Sequence, residues 1–128
     1  MEINDSQGKY TIKFDTSRRI CYEKQIGFWN NDDVKRFHND YTTKVGPLLA
    51  NKPWSKVSDL REYKTSSIND QVAVHVKWMQ ETKADCVAVL VDSAIVKLQM
   101  NTASGGLFKQ KAFTEENEAD QWLKSQGY

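Results

Sequence analysis

The 128-residue sequence contains few of the residues that stabilise small proteins covalently or through metals, with two cysteines and two histidines. Their spacing matches no zinc site. Cys21 and Cys86 both fall inside apolar strand patterns, which predicts two buried, reduced thiols. No segment approaches the ~18 consecutive apolar residues of a membrane span, and the first residues lack the basic start and apolar stretch of a signal peptide. The sequence therefore predicts a cytoplasmic protein with no metal, no cofactor and no membrane span.

An excess of charge of either sign is also missing. The formal net charge is +1, and no run of five like charges occurs. Nucleic-acid-binding domains usually carry a basic stripe, so we expect no nucleic-acid partner. A chain of this length can bury a stable core without disulfides or metals, and no linker or repeat interrupts the sequence. We predict one domain over residues 1–128, with its core at about residues 8–126.

Hydrophobic periodicity predicts an α/β fold. Alternating apolar residues at 10–14 and 20–26 indicate an antiparallel hairpin. A helix follows, capped by Asn30 or Asn31 and expected to kink or stop near Gly46, just before Pro47. The remaining predicted elements are strand 54–60, a helix from 68, strand 86–91, helix 93–102 ended by Gly105-Gly106, strand 107–113 and a last helix capped by Thr114. This order predicts a mixed, mainly parallel sheet of about five strands, an N-terminal hairpin followed by β-α repeats, with four helices.

Two of these elements are expected to lie in the core. The strand Cys86–Val91 is apolar throughout, which indicates a central strand covered on both faces. In the last helix, Ala119, Trp122 and Leu123 are spaced i, i+3 and i+4, which predicts that the helix packs on the sheet.

Three segments carry a family resemblance. They are Val57-Ser58-Asp59-Leu60-Arg61, Val87-Ala88-Val89-Leu90-Val91-Asp92, and Phe113 followed by Glu118-Ala119-x-x-Trp122-Leu123. In these segments the chain resembles the SpoIIAA-like, or STAS-like, superfamily of anti-sigma-factor antagonists, over nearly its whole length from about Gly8. The resemblance implies a non-enzymatic module without a cofactor that regulates through protein contacts, as a homodimer or with a partner protein. The superfamily is also similar to lipid-carrying Sec14-type domains, so a carrier of a small apolar ligand is the alternative.

Some members of this superfamily are switched by phosphorylation of a serine in an Asp-Ser-Ser-Gly motif. The corresponding region here reads Thr65-Ser66-Ser67-Ile68, without the acidic residue and the glycine. Ser66 and Ser67 are therefore weak candidates for phosphorylation, and capping of the following helix is the simpler interpretation.

Asp59 and Asp92 come at the ends of two strands that should be neighbours in the parallel sheet. Ligands of open α/β sheets bind at that edge, and two carboxylates there could hold Mg²⁺. With Arg61 and Ser93 beside them, they suggest a third hypothesis, a phosphotransfer or metal enzyme. The alternative is that each aspartate caps the next turn or pairs with Arg61 or Lys97.

Val74 and Trp78 are an apolar pair spaced i, i+4 on the helix that starts near residue 68. The core stripe of that helix is predicted to be Ile68, Val72, His75, Val76 and Met79. The pair points to the opposite, charged side, so it is a candidate contact surface for a partner. The alternative is that the N-terminal arm or a neighbouring helix covers Trp78.

His75 lies on the apolar stripe, and the other histidine, His38, is on a different helix. We therefore expect a buried, hydrogen-bonded His75 rather than a catalytic or metal-binding one. An apolar-ligand carrier would instead need a void between helices and sheet, with Phe28, Trp29, Phe37 and Tyr41 as its expected lining. Core packing is the simpler interpretation of Phe28-Trp29.

Overall fold

A six-stranded sheet organises the protein, and its strands lie side by side in the order in which they occur along the chain. The computed structural model describes residues 1–64, 69–93 and 109–128, with the backbone alone for residues 69–71. In these ranges the strands are β1 (Glu2–Asn4), β2 (Tyr10–Asp15), β3 (Ile20–Phe28), β4 (Trp54–Lys64), β5 (Ala84–Leu90) and β6 (Lys109–Phe113). The helices are α1 (Asn31–Asp40), a π-helical turn (Tyr41–Val45), α2 (Gly46–Leu49), α3 (Asn69–Glu81) and α4 (Glu116–Ser125). No helix in the described ranges is long and apolar enough to cross a membrane.

The sheet is antiparallel at its start and parallel afterwards. Strands β1, β2 and β3 pair antiparallel, whereas β3, β4, β5 and β6 pair parallel. The predicted α/β fold with a mixed, mainly parallel sheet is confirmed. Strand β1 is an addition to the prediction, because a three-residue strand with one apolar side chain, Ile3, shows no alternation that the sequence could reveal.

Helices cover both faces of the sheet. α1, α2 and α3 pack on one face, where the core includes Phe37, Leu49 and Met79. α4 packs on the opposite face through Ala119 and Leu123. Right-handed crossovers that step in one direction across a parallel sheet all fall on the same side, which explains why α1 and α3 share a face. We call the two sides the α1/α3 face and the α4 face.

Strand β5 is the central strand that its apolar sequence predicts. All residues from Cys86 to Val91 are buried, and alternate side chains enter the cores of the two faces. Both cysteines, Cys21 and Cys86, are buried and free. The prediction of buried thiols in strands is therefore confirmed.

Helix α1 begins with a capping box. The side chain of Asn30 accepts a hydrogen bond from the backbone N–H of Asp33, and the carboxylate of Asp33 accepts one from the backbone N–H of Asn30, each at 2.9 Å. After Asp40 the helix widens into the π-helical turn, and α2 starts at Gly46. The helix therefore changes its hydrogen bonding one turn before Pro47, which has no backbone donor.

Three details differ from the predictions. Strand β4 continues beyond Leu60 to Lys64, because its last residues pair with the end of β3. Residue Glu115, not Thr114, is at the N-cap of α4, and it makes no side-chain cap hydrogen bond. Val72, predicted to lie in the core stripe of α3, is 42% exposed.

Several predictions fall outside the described residues. They concern the helix 93–102, the pair Gly105-Gly106, the beginning of the last strand at Leu107, and Ser66 and Ser67.

Candidate functional site

Polar side chains from β3 and β4 point into the α1/α3 face of the sheet instead of into solvent. Glu23, Lys56 and Ser58 are buried there, with exposed fractions of 4%, 3% and 7%. The parallel register sets Cys21 opposite Lys56 and Glu23 opposite Ser58. This register brings the carboxylate and the ammonium together, and Oε1 of Glu23 lies 2.8 Å from Nζ of Lys56.

The Glu23 carboxylate has hydrogen bonds on both oxygens. Lys56, Ser58 and Gln25 donate to it at 2.8, 2.7 and 2.7 Å, and the hydroxyl of Tyr41 donates to it as well. Burial alone would raise the pKa of this carboxyl, but the charge of Lys56 and the hydrogen bonds from Lys56, Tyr41 and Ser58 outweigh burial and lower it. Glu23 is therefore an ionised acceptor whose lone pairs are engaged, and it is not placed as a free general base.

His75 on α3 continues the network towards the surface. Nζ of Lys56 lies 3.1 Å from Nε2 of His75 and 3.4 Å from Sδ of Met79. The other ring nitrogen of His75, Nδ1, lies 3.0 Å from Nδ1 of His38 on α1. The contacts therefore form a continuous chain from the buried Glu23 to the half-buried ring of His38.

Both histidines are held in their neutral form. Burial lowers the pKa of His75 well below its usual range, and the positive charge of Lys56 lowers it further. The pKa of His38 is lowered by the same two causes in the same order. The predicted buried, hydrogen-bonded His75 is confirmed, with 6% of the residue exposed. The fold also brings His38 into direct contact with it, which helix assignment from the sequence did not reveal.

Aromatic rings surround His75. The rings of Tyr41, Phe37 and Trp78 have their centroids 4.7, 5.1 and 5.7 Å from the imidazole, and the Trp78 ring stacks on it at 25°. The shell has low polarity, so the hydrogen bonds and the ion pair inside it are stronger than they would be in water.

A cavity of about 260 Å³ lies between this network and the helices. Its apolar walls include Trp29, Phe37 and Val76, and its polar part includes Lys56 and His75. Of the expected lining residues, Trp29 and Phe37 are in the wall.

The other two residues expected to line a void lie elsewhere. Phe28 is 62% exposed, and Tyr41 is fully buried as a donor to Glu23. On the α4 face, a separate groove of about 460 Å³ is bordered by charged residues that include Lys13, Asp59 and Glu116.

The two predicted contact residues of α3 differ in exposure. Val74 is 53% exposed, whereas Trp78 is partly buried and packs against the core. The centroid of the Trp78 ring lies 6.0 Å from that of His38 and 5.8 Å from that of Tyr41. Of the two interpretations of Trp78, the structure shows that it is covered, by α1 and the π-helical turn; the solvent-facing position expected for the pair holds for Val74.

The predicted strand-end residues form an ion pair on the α4 face. Arg61 donates to the two carboxylate oxygens of Asp59 at 2.9 and 2.8 Å, and to Glu116 of α4 at 2.7 Å. Asp92 is exposed after β5, and Ser93 follows it with intermediate exposure. The described ranges contain no group of three or more His, Cys, Asp or Glu residues arranged to hold a metal ion. Of the two interpretations of Asp59, the structure shows the pairing with Arg61.

The sequence did contain a signal for the network on the α1/α3 face. Lys56 and Ser58 lie between Trp54 and Leu60 on one side of a strand, so a side that begins and ends with apolar core residues carries a charge. A buried lysine requires an anionic partner. The neighbouring strand offers Glu23 at a core-facing position.

The comparisons with known proteins bear on the fold. No protein-family model matches the sequence, and no curated protein matches it significantly. A solved structure of an uncharacterised protein of the DUF3478 family with a SpoIIAA-like fold, from Shewanella loihica PV-4, is similar with a TM-score of 0.67 and 16% identity, covering 89% of this chain and 93% of that one. The complex of the diguanylate cyclase SiaD with its activator SiaC, from Pseudomonas aeruginosa, contains a chain similar with a TM-score of 0.55 and 13% identity, covering 88% of this chain and 99% of that one.

These likenesses extend over nearly the whole chain. At such low identity they concern the fold and not the chemistry. The protein therefore has a SpoIIAA-like fold.

Proposed function

We propose that residues 1–128 act as one non-enzymatic, cytoplasmic regulatory module that works by binding a protein, either a second copy or a different partner. The observation that carries this proposal is the outer side of α3, where the apolar side chain of Val74 is 53% exposed. Apolar side chains that project beside charged ones are typical of contact surfaces. Trp78, one turn further along α3, packs against the core beneath this surface.

The fold gives this proposal a precedent. SiaC, an activator, has a fold similar to that of this chain and occurs in a complex with the enzyme that it activates. The Glu23–Lys56 network adds support against catalysis, because its carboxylate is engaged by four donors. Asp59, the candidate for a cation or phosphotransfer site, is likewise engaged by Arg61.

Val74→Glu is the variant that tests the contact surface. It places a charge in the proposed interface without disturbing the core, whereas a change at Trp78 would also unfold the packing beneath. Gln80→Glu adds the same charge at another exposed position of α3 and is the matched control. Light scattering after size-exclusion chromatography, beside a thermal melt, reports mass and stability together.

The outcome depends on the state of the wild-type protein. If it is a dimer, Val74→Glu should dissociate it with an unchanged melting temperature, while Gln80→Glu should leave it dimeric. If it is a monomer, the immobilised wild type and the Gln80→Glu control should both retain a protein from source cells that Val74→Glu loses. Equal behaviour of all three proteins in both experiments would contradict the proposal.

A second function, a carrier of a small apolar ligand, is favoured by the 260 Å³ cavity with its mainly apolar wall. That volume is slightly below the range of about 300–1,000 Å³ that is usual for ligand sites, so the ligand would be small. Native mass spectrometry of the purified protein tests it. A retained small molecule that is lost in Val76→Trp, a change that fills the cavity, would support the carrier, and a ligand-free protein that binds no apolar fluorescent probe would contradict it.

A further inference from the structure

Lys56 determines which histidine donates and which accepts in the hydrogen bond between His38 and His75. A lysine ammonium has only donors, so Nε2 of His75, 3.1 Å from Nζ of Lys56, must be the acceptor. The single proton of neutral His75 is therefore on Nδ1. That Nδ1–H points at Nδ1 of His38, 3.0 Å away. His38 must accept there and carry its own proton on Nε2.

This arrangement cannot survive protonation of His38. An imidazolium carries N–H groups on both nitrogens, so Nδ1 of His38 would become a donor that faces the Nδ1–H of His75. His75 cannot relieve the clash by changing tautomer, because its Nε2 would then present a proton to the ammonium of Lys56. Lys56 in turn is fixed by Glu23 at 2.8 Å. The ion pair thus fixes the histidine contact in one of its two possible directions.

We propose that the His38–His75 contact is a proton-operated latch, which closes α1 onto α3 while both imidazoles are neutral and opens when His38 takes up a proton. Proton access is available at His38, which is half-buried, and not at His75, which is buried. The latch concerns the two helices of the isolated chain and does not rest on the contact surface proposed above.

The charged and titratable groups near the latch favour the neutral pair. From β4 and β3 the nearest are Lys56 and, behind it, Glu23, which compensate each other. The π-helical turn contributes the neutral phenol of Tyr41. On α1 itself, Asp40 accepts from Tyr10 at 2.5 Å and pairs with Lys44 at 3.2 Å. Within the described ranges, the structure shows no ion pair between a carboxylate and either histidine.

Two lysines close in sequence to the histidines, Lys35 on α1 and Lys77 on α3, are exposed to solvent. The pKa of each histidine is lowered first by burial and then by Lys56. The latch is therefore closed at neutral pH and opens on acidification, which is the direction that an experiment should find.

The chain is well suited to a direct test because His38 and His75 are its two histidines. Imidazole ¹⁵N NMR of the wild-type protein near neutral pH should show two opposite tautomers, with the proton on Nδ1 of His75 and on Nε2 of His38. Two rings with the same tautomer would overturn the proposal, and this measurement needs no variant.

The second measurement is amide hydrogen exchange of α3, corrected for the intrinsic effect of pH. Helix α4 packs on the opposite face and is the internal reference. From about pH 7.5 to pH 5.5, we expect the protection of α3 relative to α4 to fall about tenfold or more in the wild type. A protection ratio that stays constant through this range would overturn the latch.

His38→Asn is the discriminating variant. The amide oxygen of asparagine can take the place of Nδ1 and accept from His75, but it cannot be protonated. The variant should therefore lose clearly less of the protection of α3 at the lower pH than the wild type does, since only His75 still titrates on opening. If its protection falls as much as that of the wild type, His38 is not the proton-binding group and the proposal is wrong.

Discussion

Glu23 and Lys56 are both buried, so removing either one leaves the charge of the other unpaired. Replacing Lys56 by methionine would leave a buried carboxylate without its counter-charge, so we expect Lys56→Met to lower the free energy of unfolding by about 3–5 kcal/mol. The double variant Glu23→Gln/Lys56→Met removes both charges and should recover most of that loss. Urea unfolding of the variants measures both effects. A Lys56→Met protein as stable as the wild type would mean that water reaches the carboxylate.

The histidines make stability depend on pH in a defined window. Because the folded state lowers the pKa of both rings, the unfolded chain binds their protons first as the pH falls. Their contribution is complete above the unfolded pKa near 6.5 and is lost below it, at up to about 1.4 kcal/mol per histidine for each pH unit. Urea unfolding at several pH values between about 7.5 and 5 should show this loss.

The carboxylates with lowered pKa values, among them Asp59 and Asp120, add their own loss only in more acid solution, below the ordinary carboxyl range. The pH range in which the histidines lower stability is therefore separate from the range in which the carboxylates do. The variant His38→Asn should show a shallower slope within it. Stability that is constant from pH 7.5 to 5 would contradict the prediction.

For individual residues, the sequence predicted burial but not contacts between helices. Burial of His75 could be predicted from its place on the apolar stripe of a helix. Its contact with His38 could not, because that depends on how α1 is set against α3. The sequence left open for the same reason whether Trp78 is exposed or covered, since helical spacing describes one helix and not the neighbour that covers it.

Two glycines in ordered elements should respond differently to the same substitution. Gly46 has a helical backbone with φ −48°, and an added Cβ would meet Trp78 and Tyr41 at 3.5 Å, an ordinary contact distance. Alanine favours a helix over glycine, but in this conformation its Cβ would crowd the ring of the following Pro47, so Gly46→Ala should change stability by about 0.5 kcal/mol or less. Gly27 has φ +74°, where a side chain is strained, so Gly27→Ala should lower stability by about 1–2 kcal/mol. Thermal or urea unfolding decides, and equal losses in the two variants would be inconsistent with these backbone conformations.

Helix α4 is held by Leu123, which is completely buried on its face of the sheet. Leu123→Ala should lower the free energy of unfolding by about 2–5 kcal/mol. The neighbouring Lys124 is largely exposed and pairs with Asp120 across one turn, so Lys124→Ala should change stability by about 0.5 kcal/mol or less. If both variants unfold alike in urea, α4 does not pack as described.

Elements with a strong period were the ones that could be located from the sequence. The hairpin alternates with period 2, α1 has a capping box, and the burial of Ala119 and Leu123 agrees with their helical spacing. The ends of elements were less predictable. Strand β4 runs on to Lys64 because β3 is available as a partner, and this depends on pairing rather than on local preference.

The two cysteines illustrate how the whole sheet restricts chemistry. Cys21 is on β3 and Cys86 on β5, with β4 between them, and they belong to the cores of opposite faces. Two strand spacings are about 9–10 Å, too far for a disulfide. We expect the melting temperature to be the same with and without a reductant. A lower melting temperature in reductant would require a different strand order.

The fold as a whole was more predictable than the site. Repeated strand–helix units after a hairpin leave few topologies once right-handed crossovers are required. The ion pair on the α1/α3 face was missed because Glu23 and Lys56 are far apart in sequence. They become neighbours only when β3 and β4 align in register.

Because the spatial order of the strands equals their order along the chain, each new strand finds its partner in the segment made just before it. During synthesis, β1 to β3 can pair as soon as they leave the ribosome, and β4 adds to an edge that already exists. No strand depends on a strand made much later for its pairing. Unpaired strand edges are therefore exposed to other chains for a shorter time. The exception is the α4 face, where Ile20 and Ala88 are covered by the last helix. That surface stays bare until α4 has left the ribosome, and it is where a trapped nascent chain would be most prone to aggregate.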